Sequence, residues 1–215
     1  MRDDTMTAFT IASRWPATRP DAIQLYSLPT PNGIKAAAML AETGLDFEAH
    51  LVDITQGDQM TPEFLSLNPN NKIPAIIDPD GPNGKPLPLW ESGAILIYLA
   101  EKTGKFLPIN PPEHYETIQW VMWQMGGLGP MLGQFGFFHA FGGAEIEDKR
   151  PRDRYRDEGR RLLGVLNQRL AGRDFIMGSE YTIADIAAWP WVRAIHTAYE
   201  AYDEMGMKDF PEVLR

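Results

Sequence analysis

Two polar segments in the first half of the sequence stand where a ligand could bind. In "SLPTPNG", Thr30 and Asn32 lie between an apolar run and a helical run, beside an expected helix N-terminus. Such a terminus carries unpaired N–H groups and the positive end of the helix dipole, which favour an anion. In "WESGA", Ser92 and the adjacent N–H groups would bind a carboxylate, and Glu91 would hold an ammonium group.

A third segment, "NKIP", lies between these two in the chain. A proline after a branched residue at a strand start can form a cis bond, which would present the backbone of Ile73 to an extended peptide. Together the segments suit a ligand with an amine and a carboxylate at one end, a peptide in the middle and a sulfur or oxygen anion at the other. Glutathione has this pattern.

The composition restricts the chemistry. The chain has no cysteine, so it forms no disulfide or thiolate metal site, and a sulfur nucleophile must come from the substrate. Its formal net charge of −9 argues against binding to nucleic acid. No histidine pair has metal-ligand spacing. The apolar runs are too short to span a membrane and no signal peptide is recognisable, so we expect a cytoplasmic protein without a membrane partner.

The pattern of the chain predicts two domains after an irregular arm at 1–21. Residues 22–108 alternate short strands with helices, which indicates an α/β domain. A proline-rich linker at 109–112 follows. Residues 113–215 show only helical periodicity and predict an all-helical domain, in which Thr182 and Asp185 have the spacing of a capping box.

The sequence resembles the glutathione transferases over about residues 22–210. The motifs that carry the resemblance are "TPNG", "NPNNKIPAI", "ESGAILIYLAEKTG", "GGLGPMLGQ" and "YTIADIAAWPW". They are most similar to the bacterial nu class and its fungal prion-related relatives. The resemblance implies a thioredoxin-like N-terminal domain followed by an all-helical C-terminal domain. It also implies a homodimer, and by analogy we expect the N-terminal arm to lie over the neighbouring subunit.

The resemblance also implies roles for individual residues. Thr30 and Asn32 match positions that contact the glutathione sulfur, Ile73 matches the backbone that pairs with the cysteinyl residue, and Glu91 with Ser92 match the γ-glutamyl site. Three further polar contacts to glutathione are implied at Gln59, Lys72 and Arg154. The implied activity is glutathione-dependent disulfide reduction with weak conjugation, using two glutathione molecules or one glutathione disulfide.

Several alternatives remain open on the sequence alone. Thr30 and Asn32 are also ordinary turn residues, Glu91 with Ser92 is also an ordinary helix cap, and Arg154 lies in a helix of alternating charge. The scaffold would equally suit a non-catalytic glutathione sensor or a conventional transferase. Family members usually continue beyond "FPEVLR" through a further helix, so a shortened form or a more open site is expected.

Overall fold

The computed structural model describes residue 6 and residues 8–215 of the chain. It divides into two compact units, of which the first ends at Thr103 and the second runs from Gly104 to Arg215. This division precedes the predicted linker at 109–112, and a helix already begins at Pro111 inside that linker. Proline suits the first helical position because its missing N–H would have no partner there.

The first unit contains a mixed sheet with strand order β2-β1-β3-β4. β2 runs parallel to β1, whereas β3 pairs antiparallel with both β1 and β4. These strands confirm the predicted α/β pattern. The elements are β1 Ile23–Ser27, α1 Pro31–Thr43, β2 Phe47–Leu51, α2 Pro62–Leu67, β3 Ala75–Asp78, β4 Leu87–Trp90 and α3 Ser92–Thr103.

Alternate residues of β1 face different layers. Leu25 shares a groove with Ile34 of α1, whereas Tyr26 is buried in a cluster with Phe64 of α2. This alternation follows from the two-residue period of a strand. The sheet is therefore covered on both faces, which explains why all five residues of β1 are at least half-buried.

Helix α1 begins earlier than the sequence pattern suggested. The sequence pattern predicts a helix that begins at Gly33 after a turn, yet Pro31 and Asn32 already belong to the first turn of α1. Thr30 is the N-cap, and its side-chain oxygen accepts a hydrogen bond from the Gly33 N–H. The cap and a proline at the first helical position together explain the early start.

The described part of the arm packs against its own unit. Ile11 is fully buried, and the indole N–H of Trp15 donates to the carbonyl oxygen of Leu51 at 2.9 Å. The Arg19 guanidinium likewise donates to the carbonyl oxygen of Phe47. These bonds occupy carbonyl groups of β2, which is an edge strand and would otherwise offer them to another chain.

The second unit is helical, as predicted. Its core centres on Leu132, Leu163 and Ile195. A π-helical turn at Gln124–Leu128 lies between α4 and α5, at the start of the motif "GGLGPMLGQ". The predicted capping box is present, with Asp185 accepting from the N–H of Thr182 at 2.9 Å. The helices are α4 Pro111–Trp123, α5 Gly129–Ala140, α6 Arg150–Leu170, α7 Ile183–Thr197 and α8 Pro211–Leu214.

Candidate functional site

The strand pairings place most of the predicted site residues at one end of the sheet. Ala75, the first residue of β3, pairs with Tyr26 near the end of β1 and with Trp90 at the end of β4. The segments next to these strand ends therefore meet at the same end of the sheet. The predicted residues in these segments are Thr30 and Asn32 after β1, Ile73 before β3, and Glu91 with Ser92 after β4.

Thr30 combines two possible uses of its hydroxyl. The oxygen accepts from the Gly33 N–H at 3.2 Å, and its own hydrogen has no acceptor among the described residues. Asn32 lies half-buried in the first turn of α1, two residues further on. A hydroxyl has two acceptor sites and one donor, so Thr30 can cap the helix and still donate to a ligand.

Two other threonine N-caps in the described chain behave differently. The Thr61 hydroxyl donates to the carbonyl oxygen of Asp58 at 2.7 Å. The Thr182 hydroxyl donates to the Asp185 carboxylate at 3.2 Å. Both hydroxyl hydrogens are therefore used within the fold, whereas the hydroxyl hydrogen of Thr30 is available at the end of the sheet.

Glu91 adopts an unusual backbone conformation immediately before α3. Its φ is 73°, in the left-handed region that a side chain with a Cβ rarely occupies. Its carbonyl oxygen accepts from the Ile95 N–H at 2.9 Å, so the residue begins the helix while its side chain stays exposed. Such strained residues concentrate at binding and catalytic sites.

Ser92 is the first residue of α3, so its hydroxyl is not an N-cap of the kind considered from the sequence. The side chain is buried, and its oxygen lies 3.3 Å from the ammonium nitrogen of Lys35. The N-termini of α1 and α3 are thereby linked. A serine hydroxyl and unpaired helix N–H groups are suited to binding a carboxylate.

The sequence prediction missed Lys35. This lysine is fully buried, and burial lowers its pKa to about 7, partly offset by the negative charge of Glu91. A signal was present, because Lys35 lies four residues before Met39 and eight before Thr43 on the buried side of α1. The helical pattern alone does not reveal which partner the ammonium has across the fold.

The loop before β3 is held by Asn68, which the sequence analysis also missed. Its amide donates to the Lys72 carbonyl at 2.6 Å, and its side-chain oxygen accepts from the Asn70 N–H at 2.9 Å. The Ile73–Pro74 peptide bond is cis, as the sequence suggested. None of the described residues hydrogen-bonds to the backbone of Ile73, so an extended ligand has both groups available.

Gln59 and Lys72 lie on neighbouring loops. The turn that contains Gln59 touches the loop before β3, because the Asn71 amide lies 2.7 Å from the sulfur of Met60. Lys72 is exposed. The Gln59 amide nitrogen donates weakly to the Ile54 carbonyl at 3.4 Å, whereas its buried side-chain oxygen has no partner within the described structure.

Arg154 belongs to the second unit and stands apart from these residues in the chain. It is exposed on α6, where the carboxylate four residues on is Glu158. The neighbouring Arg152 and Arg156 form ion pairs with Asp153. This confirms the alternating charge pattern of the helix, and a contact of Arg154 with glutathione stays a prediction.

The described residues hold neither a cluster of metal ligands nor a helix that could span a membrane. Residue 6 and residues 8–215 contain no group of three or more potential metal ligands among histidine, cysteine, aspartate and glutamate. Within the same residues, no helix has both the length and the apolar character needed to cross a bilayer.

Family models match both units. The model "Glutathione S-transferase, N-terminal domain" matches residues 21–101, and "Glutathione S-transferase, C-terminal domain" matches residues 151–215. The chain is 51% identical over 175 residues to the disulfide-bond oxidoreductase YfcG of Escherichia coli, covering 80% of each protein. It is 44% identical over 175 residues to the disulfide-bond oxidoreductase YghU of the same organism, covering 79% of this chain and 59% of that protein.

Solved structures agree with this assignment. A glutathione transferase from Burkholderia graminis, with two glutathione molecules bound per subunit, has a TM-score of 0.96 and 64% identity over 98% of this chain and 88% of that chain. A glutathione transferase from Pseudomonas putida, with one glutathione disulfide bound per subunit, has a TM-score of 0.95 and 58% identity over 98% of this chain and 91% of that chain. The chain therefore belongs to the glutathione S-transferase family.

Proposed function

We propose that this protein is a glutathione-dependent thiol–disulfide oxidoreductase with weak conjugating activity. Bound glutathione attacks a substrate disulfide as a thiolate, which forms a mixed disulfide and releases one substrate thiolate. A second glutathione attacks the mixed disulfide, so that glutathione disulfide leaves and the second substrate thiolate is released. Two glutathione molecules are oxidised for each disulfide reduced, and the electrons balance without a cysteine of the protein.

One observation carries this proposal: the Thr30 hydroxyl hydrogen has no acceptor among the described residues. The hydroxyl already accepts from the Gly33 N–H, which fixes the oxygen and directs its hydrogen away from the helix. The Asn32 amide and the N-terminus of α1 act on the same sulfur. A free thiol has a pKa of about 8.5, and each unit of depression requires about 1.4 kcal/mol, which two hydrogen bonds and a helix dipole can supply.

The remaining groups suit the rest of the glutathione molecule. The free backbone groups of Ile73 pair with the cysteinyl residue, while Ser92 and Glu91 take the γ-glutamyl carboxylate and ammonium. Gln59, Lys72 and Arg154 are proposed as additional polar contacts. The names of the two Escherichia coli relatives and the glutathione disulfide in the Pseudomonas putida structure support disulfide reduction over conjugation.

The test is turnover of the mixed disulfide of hydroxyethanethiol and glutathione, with reduced glutathione as the second substrate. Thr30→Ala and Asn32→Ala should each lower kcat/KM at least tenfold, equivalent to about 1.4 kcal/mol of transition-state stabilisation. Thr30→Ser should retain most activity, because it keeps both the cap and the donor. Thr182→Ala is the matched control, since it removes a threonine N-cap in the second unit and leaves the sulfur site intact.

Other outcomes would identify the alternatives. If the parent binds glutathione but turns over neither a disulfide nor a model electrophile, the protein is a glutathione-binding module. Faster conjugation of a chlorodinitrobenzene electrophile than disulfide reduction would indicate a conventional transferase. If Thr30→Ala keeps the activity of the parent, as Thr182→Ala should, Thr30 does not contact the sulfur.

We also propose the domain limits 22–108 and 113–215, a homodimer, and a cytoplasmic location. The dimer is proposed from the family resemblance, with the first domain and the helix around Trp120 at the interface. Sedimentation as a monomer at micromolar concentration would refute it. The location is proposed because the reaction consumes reduced glutathione, which the cytosol maintains.

A further inference from the structure

We propose that Arg14 of the N-terminal arm is a positioning residue for glutathione binding. It forms an ion pair with Asp58, and this pair holds the short turn Asp58–Met60, here called the Gln59 turn. The inference rests on the proposed function, because it takes Gln59 as a contact of glutathione. Arg14 acts through the turn and is not proposed to touch the ligand.

The Gln59 turn is a single turn of 3-10 helix with little backbone support of its own. It is closed by a hydrogen bond from the Met60 N–H to the Gly57 carbonyl at 2.9 Å. Hydrogen bonds of the 3-10 type have poorer geometry than those of an α-helix. The position of Gln59 therefore depends on side chains that connect the turn to the rest of its unit.

Asp58 connects the turn to two other segments. One of its carboxylate oxygens accepts from the Arg14 guanidinium at 2.5 Å, and the other accepts from the Asp53 N–H at 2.9 Å. The Asp58 side chain is only 16% exposed, and removing one member of a largely buried ion pair leaves the other charge uncompensated. Without Arg14 the carboxylate should turn towards water and release the Asp53 N–H, which frees the turn.

Arg14 is itself held in place. The carbon at the centre of its guanidinium lies 5.1 Å from the ring centroid of Trp15, which is a cation–π contact. The Trp15 indole donates to the Leu51 carbonyl and packs edge-on against the buried ring of Phe64, with 6.4 Å between centroids. The ion pair therefore connects the Gln59 turn to the core of the unit.

The Gln59 side chain has bonding capacity that the fold leaves unused. Its buried oxygen has no partner within the described structure, and its nitrogen donates weakly to the Ile54 carbonyl at 3.4 Å. A buried acceptor without a donor is unfavourable, so the amide gains when it turns towards a ligand N–H. Glutathione offers two amide N–H groups and an ammonium group, and the Gln59 turn touches the loop before Ile73 through Met60 and Asn71.

The experiment is calorimetric titration with S-methylglutathione, which has no free thiol and requires no turnover. Arg14→Met keeps much of the apolar stem but removes the charge. It should raise the dissociation constant about fivefold, the equivalent of one hydrogen bond of about 1 kcal/mol. Asp58→Ala should bind at least as weakly, because it also removes the acceptor of the Asp53 N–H.

Arg19→Met is the matched control. Arg19 is also an arm arginine in an ion pair, with Asp46 at 2.5 Å, and it donates to the carbonyl oxygen of Phe47. These partners lie at the start of β2, whereas Leu51 and the segment that leads to Gln59 lie at its end. Arg19→Met should therefore bind S-methylglutathione with the affinity of the parent.

A double variant and kinetics separate positioning from simple stabilisation. Gln59→Met should raise the dissociation constant about fivefold, and adding Arg14→Met should raise it by less than about twofold more, because both substitutions remove the same contact. In the disulfide assay, Arg14→Met should raise KM for reduced glutathione and leave kcat unchanged. A contact made equally in the ground state and the transition state changes KM alone.

The outcomes distinguish this inference from the proposed function. Parent affinity in Arg14→Met, or the same loss from Arg14→Met with and without Gln59→Met, overturns the role of Arg14 and leaves the glutathione site standing. Parent affinity in Gln59→Met overturns it as well, but leaves disulfide reduction at Thr30 intact. A parent that binds S-methylglutathione and reduces no disulfide refutes only the proposed reaction, whereas a parent that does not bind refutes both. If Arg14→Met does not fold, Asp58→Ala tests the same ion pair from its other side.

Discussion

Gly33→Ala should disrupt the sulfur site through a backbone clash. A methyl group at this position would overlap the carbonyl oxygen of Leu28 and lie 2.5 Å from the Ser27 hydroxyl. The Leu28 carbonyl cannot move freely, because it accepts from the Thr30 N–H at 2.7 Å. Relief of the clash must therefore displace the segment that carries Thr30.

The size of the effect follows from three contributions. Overpacking costs about 1–3 kcal/mol, and loss of the hydrogen bond between Thr30 and Leu28 costs about 1 kcal/mol more. Alanine returns up to about 1 kcal/mol through its helix propensity. We expect a net loss of about 1–3 kcal/mol in the free energy of unfolding, together with at least tenfold slower disulfide turnover.

The assay is urea unfolding combined with the disulfide turnover measurement. Gly164→Ala is the matched control, because this glycine lies inside α6 and its new methyl group would meet only Phe210, at 3.8 Å. The free energy of unfolding of that variant should rise by up to about 1 kcal/mol, and its activity should be unchanged. Adding Ser27→Ala to Gly33→Ala should not restore the protein, since the principal clash is with backbone. A Gly33→Ala variant as stable and active as the parent would refute this reasoning.

Three further predictions concern single residues. Glu91→Gly should raise the free energy of unfolding by about 1 kcal/mol, because glycine tolerates a φ of 73°. The same variant should bind S-methylglutathione at least tenfold more weakly. Urea unfolding measures the first effect and calorimetry the second. Lys35 has a pKa of about 7 when folded and 10.5 ordinarily, so the unfolded state binds more protons between these values and stability rises with pH. The parent should therefore gain about 2 kcal/mol relative to Lys35→Met between pH 7 and pH 9, and equal pH profiles in urea unfolding would contradict this. Trp15→Phe should lower the free energy of unfolding in urea by about 1 kcal/mol, because the Leu51 carbonyl loses its donor. Disulfide turnover should be unchanged, and a loss of turnover would show that this hydrogen bond acts on the site.

The architecture was predictable from the sequence because local patterns and the fold agree. The α/β pattern of the first unit and the capping box at Thr182 and Asp185 are both present in the structure. The start of α1 was misplaced for a local reason. Proline and asparagine favour turns by composition, and only the N-cap conformation of Thr30 shows that Pro31 and Asn32 belong to the helix.

The features that the sequence did not reveal depend on contacts between distant segments. Lysine is almost never fully buried without a partner, and one partner of Lys35 is Ser92, 57 residues later in the chain. The packing of Trp15 against β2 likewise joins residues 36 apart. No periodicity within either segment encodes these pairs, so the contact of the buried lysine and the covered edge of β2 appear only in three dimensions.

The structural and functional interpretations of a capping residue are compatible when its hydrogen remains available. Thr61 and Thr182 give their hydroxyl hydrogens to Asp58 and Asp185, so folding accounts for both sides of those hydroxyls. Thr30 uses only its acceptor side within the described fold. A cap therefore explains where the Thr30 oxygen lies but leaves its hydrogen for a ligand. In a chain without cysteine, that hydrogen stands at the helix N-terminus where a thiolate supplied by glutathione would be stabilised.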